Sequence, residues 1–265
     1  MNYQSQQNTT DKLNVYRIAL GFIKNRVKWD LRSESRVSKN GLQRLHNKYT
    51  GKKVVLLCNG PSLNNTDFNL LKNSKIFCIG LNKINLLFDR TDFRPDLIIS
   101  VNKLVIQQNK EFFNSTTIPL ILDSQAVDQV AKRDNVNFVH SLPFQLKFAR
   151  DISGSVCQGY TVTYVALQVA YYLGFTEIAL VGCDHNFVTK GSPNQTVVAG
   201  EKDPNHFSDK YFSGGVEWQL PDLLGSEIHY KLAREVFELS NRKIVNCTEG
   251  GNLEVFERKR LKDFI

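Results

Sequence analysis

Methionine occurs once and tryptophan twice in the 265 residues, and the five cysteines (Cys58, Cys78, Cys157, Cys183, Cys247) include no CxxC pair. An odd, scattered set excludes a disulfide framework and a cysteine-based zinc site. Cys58, Cys78 and Cys183 lie in or at the end of apolar runs, where a free thiol acts as a small hydrophobe. The chain therefore reads as one from a reducing compartment. No run approaches about 18 apolar residues, which excludes a spanning helix. The start, MNYQSQQNTTDK, lacks a basic segment followed by an apolar one and carries no secretory signal, so the expected location is the cytoplasm. A GxxxxGK P-loop, a GxGxxG fingerprint, a nucleophile elbow and a DxD flanked by apolar residues are all missing. No metal site is expected.

Charge is present but uneven. Residues 1–53 hold 12 Lys/Arg and 3 Asp/Glu, a net of +9; the whole chain holds 34 and 26, so the remainder holds 22 and 23, a net of −1. The main body thus gives no electrostatic sign of nucleic-acid binding. In the basic segment, Leu13, Tyr16, Leu20, Ile23 and Val27 recur at helical spacing beside Arg17, Lys24, Arg26 and Lys28. Residues 11–48 predict one or two helices, after a polar tail at 1–10. A basic amphipathic helix suits an anionic membrane surface, which would make the protein peripheral on the inner face. Packing on the domain, or on a second subunit of a homo-oligomer, is the other reading.

From residue 53 onward, apolar runs alternate with helical patterns. Strands are expected at 53–58, 75–81, 96–101, 119–122, 136–139, 177–183 and 243–246. Helices are expected at 83–88, 103–114, 124–133, 160–173 and 223–240. This alternation predicts an α/β class, a Rossmann-like, mostly parallel sheet with helices on both faces. Two units follow, a basic helical arm at 1–50 and a nucleotide-binding domain at 51–265. Residues 186–222, rich in Gly, Pro, Asn and Asp, break the rhythm and read as a lid.

Polar groups gather where strands end. Val54 to Cys58 is an apolar run that stops at Asn59-Gly60-Pro61-Ser62, with a helix start at Asn64-Asn65-Thr66-Asp67. Gly60 permits a positive φ or a close approach, and Pro61 removes one N–H. The next two strands end in Asn82 and Asn102, and a later one in Asp184-His185-Asn186. In a parallel sheet these ends share one edge, where open α/β folds bind ligands, and asparagine offers both donors and acceptors. Each residue alone reads first as a cap or turn, and the four together favour a polar ligand site. Gly159-Tyr160-Thr161-Val162-Thr163 leads into a long helix whose N-terminus suits an anion. His206, in Asp203-Pro204-Asn205-His206-Phe207, is the loop histidine suited to base chemistry. The alternative for it is a solvated surface side chain.

Four blocks in order, Asn59 to Leu63, Thr161 to Phe175, Val181 to Phe187 and Asn246 to Phe256, resemble the MptE-like 6-hydroxymethylpterin diphosphokinase domain family. The resemblance covers residues 53–258. More distantly, the layout is similar to bacterial CMP-sialic acid-dependent sialyltransferases of glycosyltransferase family 42. That likeness implies a CMP-sugar donor used without a metal or other cofactor. It implies a nucleotide site at Asn59, Gly60, Pro61, Ser62, Asn82, Asn102, Thr161, Thr163, Asp184 and His185. It also implies His206 as base and Tyr211 as the group steadying the leaving phosphate. The chain departs from that pattern: Thr161-Val162-Thr163 stands where those enzymes have Thr-Ser-Gly, and Cys183-Asp184-His185 where they have Ile-Asp-Phe.

Three functions are therefore expected in competition. The first is transfer of an acidic sugar from a CMP-sugar to a glycan acceptor of a surface polysaccharide or lipooligosaccharide. The second is a diphosphokinase using ATP, with Mg²⁺ near Asp184. The third is a non-catalytic scaffold of glycan assembly.

Overall fold

Parallel pairing alone builds the central sheet. The computed structural model describes residues 14–143, 145–188 and 191–265. Strands β1 (Lys53–Leu57), β2 (Phe77–Leu81), β3 (Leu97–Ser100), β4 (Leu120–Asp123) and β5 (Val136–Val139) follow one another in space as in sequence. Two residue pairs, β6 (Ser141–Leu142) and β7 (Val156–Cys157), form a separate ladder. The chain then returns to the other side of β1 with β8 (Glu177–Val181), and continues outward to β11 (Lys243–Asn246) and β12 (Glu257–Arg258). Strand order therefore reverses between β1 and β8. In open α/β sheets, that reversal opens the crevice in which ligands bind.

Both sheet faces are covered, which is why these strands are continuous apolar runs rather than alternating ones. In β1, Val54 and Leu56 pack in one core while Val55 and Leu57 pack in the other. Helix α6 (Val162–Leu173) lies on the first face with ten of its twelve residues buried. Gln168 is its one deeply buried amide, and it is satisfied by the backbone of Cys157 and Tyr164. Gly174, at φ 93°, ends α6 in the left-handed conformation that glycine adopts without strain. Helix α7 (Leu223–Glu238), capped by Asp222, packs beside it.

The fold class matches expectation, while several helices do not. The segment 83–88 is a single 3-10 turn, Ile84–Leu87. The segment 103–114 divides into α4 (Lys103–Gln108) and α5 (Lys110–Ser115), because Asn109 leaves helical φ/ψ and its amide pairs with that of Asn85. The segment 124–133 holds only the 3-10 turn Ser124–Asp128, fixed by the Asp123 carboxylate on Gln125 N–H. A helix α3 (Phe68–Ser74) follows the first strand, capped by Asp67. The terminal pieces, β12 and α8 (Leu261–Phe264), have no apolar periodicity to announce them. Residues 186–222 contain a short hairpin of β9 (Thr196–Val198) and β10 (Glu217–Gln219).

The basic segment forms α1 (Val15–Asp30) and α2 (Ser33–Gln43). Leu13 and the tail at 1–10 lie outside the described residues. Past Trp29 the segment is not a free arm. Trp29 and Leu42 are buried, and α2 lies along β5. Ser38 Oγ accepts the Phe138 N–H at 3.0 Å, which satisfies a donor on the outer edge of the sheet.

Candidate functional site

The end of β1 and the end of β8 meet at the reversal point. Cys58 and Gly60 continue the ladder, donating to the carbonyls of Val181 and Gly182 at 2.8 Å each. Gly60 is needed for space, not for a positive φ: its φ is −71°, and a Cβ there would overlap the Asp184 carboxylate and lie 2.8 Å from the Gly182 carbonyl oxygen. Gly182 has the opposite reason, a φ of 72°.

The carboxylate that crowds Gly60 is spoken for. Asp184 Oδ2 accepts the Ser62 hydroxyl at 2.7 Å, and both its oxygens lie 3.3 Å from the Ser62 backbone nitrogen. Ser62 and Asp184 therefore clamp two loop ends together, with Pro61 opening the 3-10 turn Pro61–Asn65. This pairing holds the turn after β1 against the end of β8, while the Asp184 carboxylate keeps further lone pairs and lines the cavity described below. His185 likewise pairs with Glu227 of α7 at 3.2 Å, and burial lowers its pKa. Asn102 uses its carbonyl oxygen to cap α4, accepting from Leu104 and Val105. Thr161 caps α6 and accepts from the Tyr230 hydroxyl at 3.4 Å, while the Thr163 hydroxyl meets Cys58 Sγ at 3.6 Å. Each of these side chains thus serves a cap, a turn or a neighbouring side chain as well as lining the cavity.

Asn59 and Asn82 differ. Asn59 Oδ1 is buried and, among the described residues, has no hydrogen-bond partner. A buried amide oxygen left unpaired costs about 1–3 kcal/mol, so a ligand donor there would be rewarded. Asn82 sits at φ 51°, accepts from Ser100 Oγ at 3.0 Å, and hydrogen-bonds the Tyr211 hydroxyl.

Above these groups the lid folds inward and closes one side of a cavity of about 510 Å³. Asn59, Gly60, Asn82, Asn102, Thr161, Thr163, Asp184, His185, His206 and Tyr211 all line it, whereas Pro61 and Ser62 are not in the lining. Within the lid, His206 Nδ1 lies 2.7 Å from Asp203 Oδ2, and Asp203 also accepts from the backbone N–H groups of Asn205 and Phe212. The His206 ring stacks on Tyr211, with centroids 4.0 Å apart. Tyr211 is fully buried, and burial pushes its hydroxyl well above the usual tyrosine range. It remains protonated, a donor rather than a base.

Two functional groups escaped the sequence reading. Asp203 stands three residues before His206, a spacing that suggested nothing without the loop's path. Lys83 is a buried cation after β2. Its Nζ donates to the Tyr211 carbonyl at 2.6 Å and to Gln108 Oε1 at 2.7 Å, and burial lowers its pKa to about 8. It ties the lid to the sheet. Among the described residues no group of three or more His, Cys, Asp and Glu side chains gathers as a metal site, and Asp184 is the carboxylate in the cavity lining.

Fold and site together define a doubly wound α/β protein with a polar cleft at the reversal point of its sheet. Residues 32–190 match the family model described as 6-hydroxymethylpterin diphosphokinase MptE-like, and the chain belongs to this MptE-like family. None of the curated proteins matches it. Among solved structures it is similar to the MAf glycosyltransferase from Magnetospirillum magneticum AMB-1, with a TM-score of 0.50 and 17% identity. That match covers 85% of this chain and 38% of the other, so this chain spans well under half of that structure, and the likeness is one of fold.

Proposed function

We propose that the protein is a transferase of the glycosyltransferase kind, moving an acidic, sialic-acid-like sugar from a CMP-sugar to a glycan acceptor. The observation that carries this reading is the pairing of buried Asp203 with half-buried His206, whose ring lines a polar cavity at the sheet's reversal point. A carboxylate on Nδ1 fixes the proton there and leaves Nε2 with a free lone pair, the arrangement of a general base. In the reaction, Nε2 takes the proton of the acceptor hydroxyl. The acceptor oxygen bonds to the anomeric carbon of the donor sugar. The bond from that carbon to the phosphate oxygen breaks, and CMP departs with the electron pair. Tyr211, kept protonated by burial, and Asn82, both in the cavity lining, are the neutral donors assigned to the departing phosphate. Asn59 Oδ1 accepts from the nucleotide.

The family's description favours a second reading, diphosphate transfer from ATP to a hydroxymethylpterin. Among the described residues no cluster of three or more candidate metal ligands supports it. One titration separates the two. Calorimetry with CMP, with and without EDTA, should show binding that EDTA leaves unchanged. A ligand at about 100 times its Kd should add roughly 2.7 kcal/mol to stability, which a thermal screen of CMP-, UDP- and GDP-sugars and ATP would read. No CMP affinity under any condition, with Mg²⁺-dependent ATP binding instead, would reject the sugar-transfer reading.

A further inference from the structure

The apolar stripe of α1 faces away from the protein. Tyr16, Leu20, Ile23, Val27 and the capping Leu31 recur at i, i+4, i+7, i+11 and i+15, one side of a helix. They are exposed by 79%, 65%, 58%, 49% and 82%. The other side holds α1 to the domain. Trp29 is buried there, Phe22 is half-buried, and the Arg26 guanidinium donates to the Gly154 carbonyl and to Ser155 Oγ. Cations border the stripe: Arg17, Lys24 and Lys28 lie along one flank, and among the described residues none of them enters an ion pair. No acidic residue occurs from Val15 to Trp29, and the carboxylate of Asp30 is taken up by Arg26 and Lys39. Among the described residues no helix is long and apolar enough to cross a membrane.

We propose that α1 lies flat on an anionic lipid surface, with its stripe at the acyl boundary and Arg17, Lys24 and Lys28 among the headgroup phosphates. Charge decides between this occupant and a second copy of the chain. Two copies meeting through α1 would bring together segments that each carry +9 over residues 1–53, with no carboxylate opposite the three cations. A phosphate-rich surface supplies the missing sign, and the apolar stripe supplies the rest of the attraction. The proposal does not depend on which reaction the cavity performs.

Sedimentation of the full chain with vesicles tests it. Vesicles of phosphatidylcholine with roughly one-third phosphatidylglycerol should carry the protein down, and phosphatidylcholine alone should not. Binding should fade as salt rises, since exposed charges are screened. A double variant, Leu20→Asp with Ile23→Asp, should abolish binding while keeping the thermal midpoint, because neither side chain is buried. Arg17→Gln, Lys24→Gln and Lys28→Gln should each weaken binding by about fivefold. Failure to sediment with anionic vesicles overturns the proposal, as does equal binding to both lipids that ignores these substitutions. A lipid-free dimer dissolved by Leu20→Asp with Ile23→Asp would overturn it too, by assigning the stripe to a second copy.

Discussion

Asp203 Oδ2 lies 2.7 Å from Nδ1 of His206 and also accepts the N–H of Phe212 at 3.0 Å, so one buried carboxylate orients the imidazole and shapes the lid. His206→Ala should lower turnover by about 10²- to 10⁴-fold, the usual worth of a positioned base, with CMP affinity nearly unchanged. Asp203→Asn keeps the shape but favours the wrong tautomer, and should lower turnover more than affinity. Turnover on a CMP-sugar beside calorimetric Kd for CMP reads both. Equal losses in binding and turnover for His206→Ala would remove it from the chemistry.

Asn59→Ala separates stability from binding. Its Oδ1 makes no hydrogen bond among the described residues, so truncation should leave thermal stability within about 1 kcal/mol of the parent. CMP affinity should fall by about tenfold, the worth of one good hydrogen bond. A strongly destabilised variant with unchanged affinity would make Asn59 a structural residue.

Gly60→Ala should be destabilising by about 1–3 kcal/mol, since the new methyl meets the Asp184 carboxylate and the Gly182 carbonyl. Combined with Asp184→Ala the two effects should not add, because the second change vacates part of the space the first requires. Urea midpoints of the two single variants and the double variant give the coupling. Strict additivity would mean that the crowding is relieved elsewhere.

Asp123 is buried at the end of β4, and burial raises its pKa to about 6, against the hydrogen bonds from Ser141 Oγ and Gln125 N–H. The unfolded value is about 3.9. The native state thus holds the proton more tightly, and stability falls as pH rises from roughly 4 to 6. Asp123→Asn retains an acceptor without the charge. It should be more stable than the parent above about pH 6.5, by on the order of 2 kcal/mol, with the difference shrinking toward pH 4.5. Chemical denaturation across this range checks it. A variant that is less stable at neutral pH would show that the carboxylate is favoured there.

The sheet was legible because its strands are buried on both faces, which leaves unbroken apolar runs such as Val54 to Leu57 and Ile178 to Val181. The placement of Asn59, Asn82, Asn102 and Asp184 on one edge followed from parallel pairing alone. Their individual roles did not, because a strand-end side chain serves whichever neighbour tertiary packing brings within reach. Ser62 and Asp184 found each other across 122 residues. Asn102 found the first turn of α4. Lys83 found the lid carbonyl of Tyr211, 128 residues on, and no local pattern encodes that contact. The helices were over-read because the Asn109 amide pairs with Asn85, 24 residues back, at the break between α4 and α5, and because Asp123 caps a turn that runs only from Ser124 to Asp128.

Phe207, next to the loop histidine, donates its N–H to the Asn59 carbonyl at 3.0 Å, and its own carbonyl accepts from Asn64 Nδ2 at 3.0 Å. The lid is thereby stitched to the turn that follows β1, one residue away from the imidazole. Two hydrogen bonds thus fix the distance between the Asn59 end of the cavity and the His206 ring, so a ligand spanning both must match a separation set by the backbone of the turn and the lid.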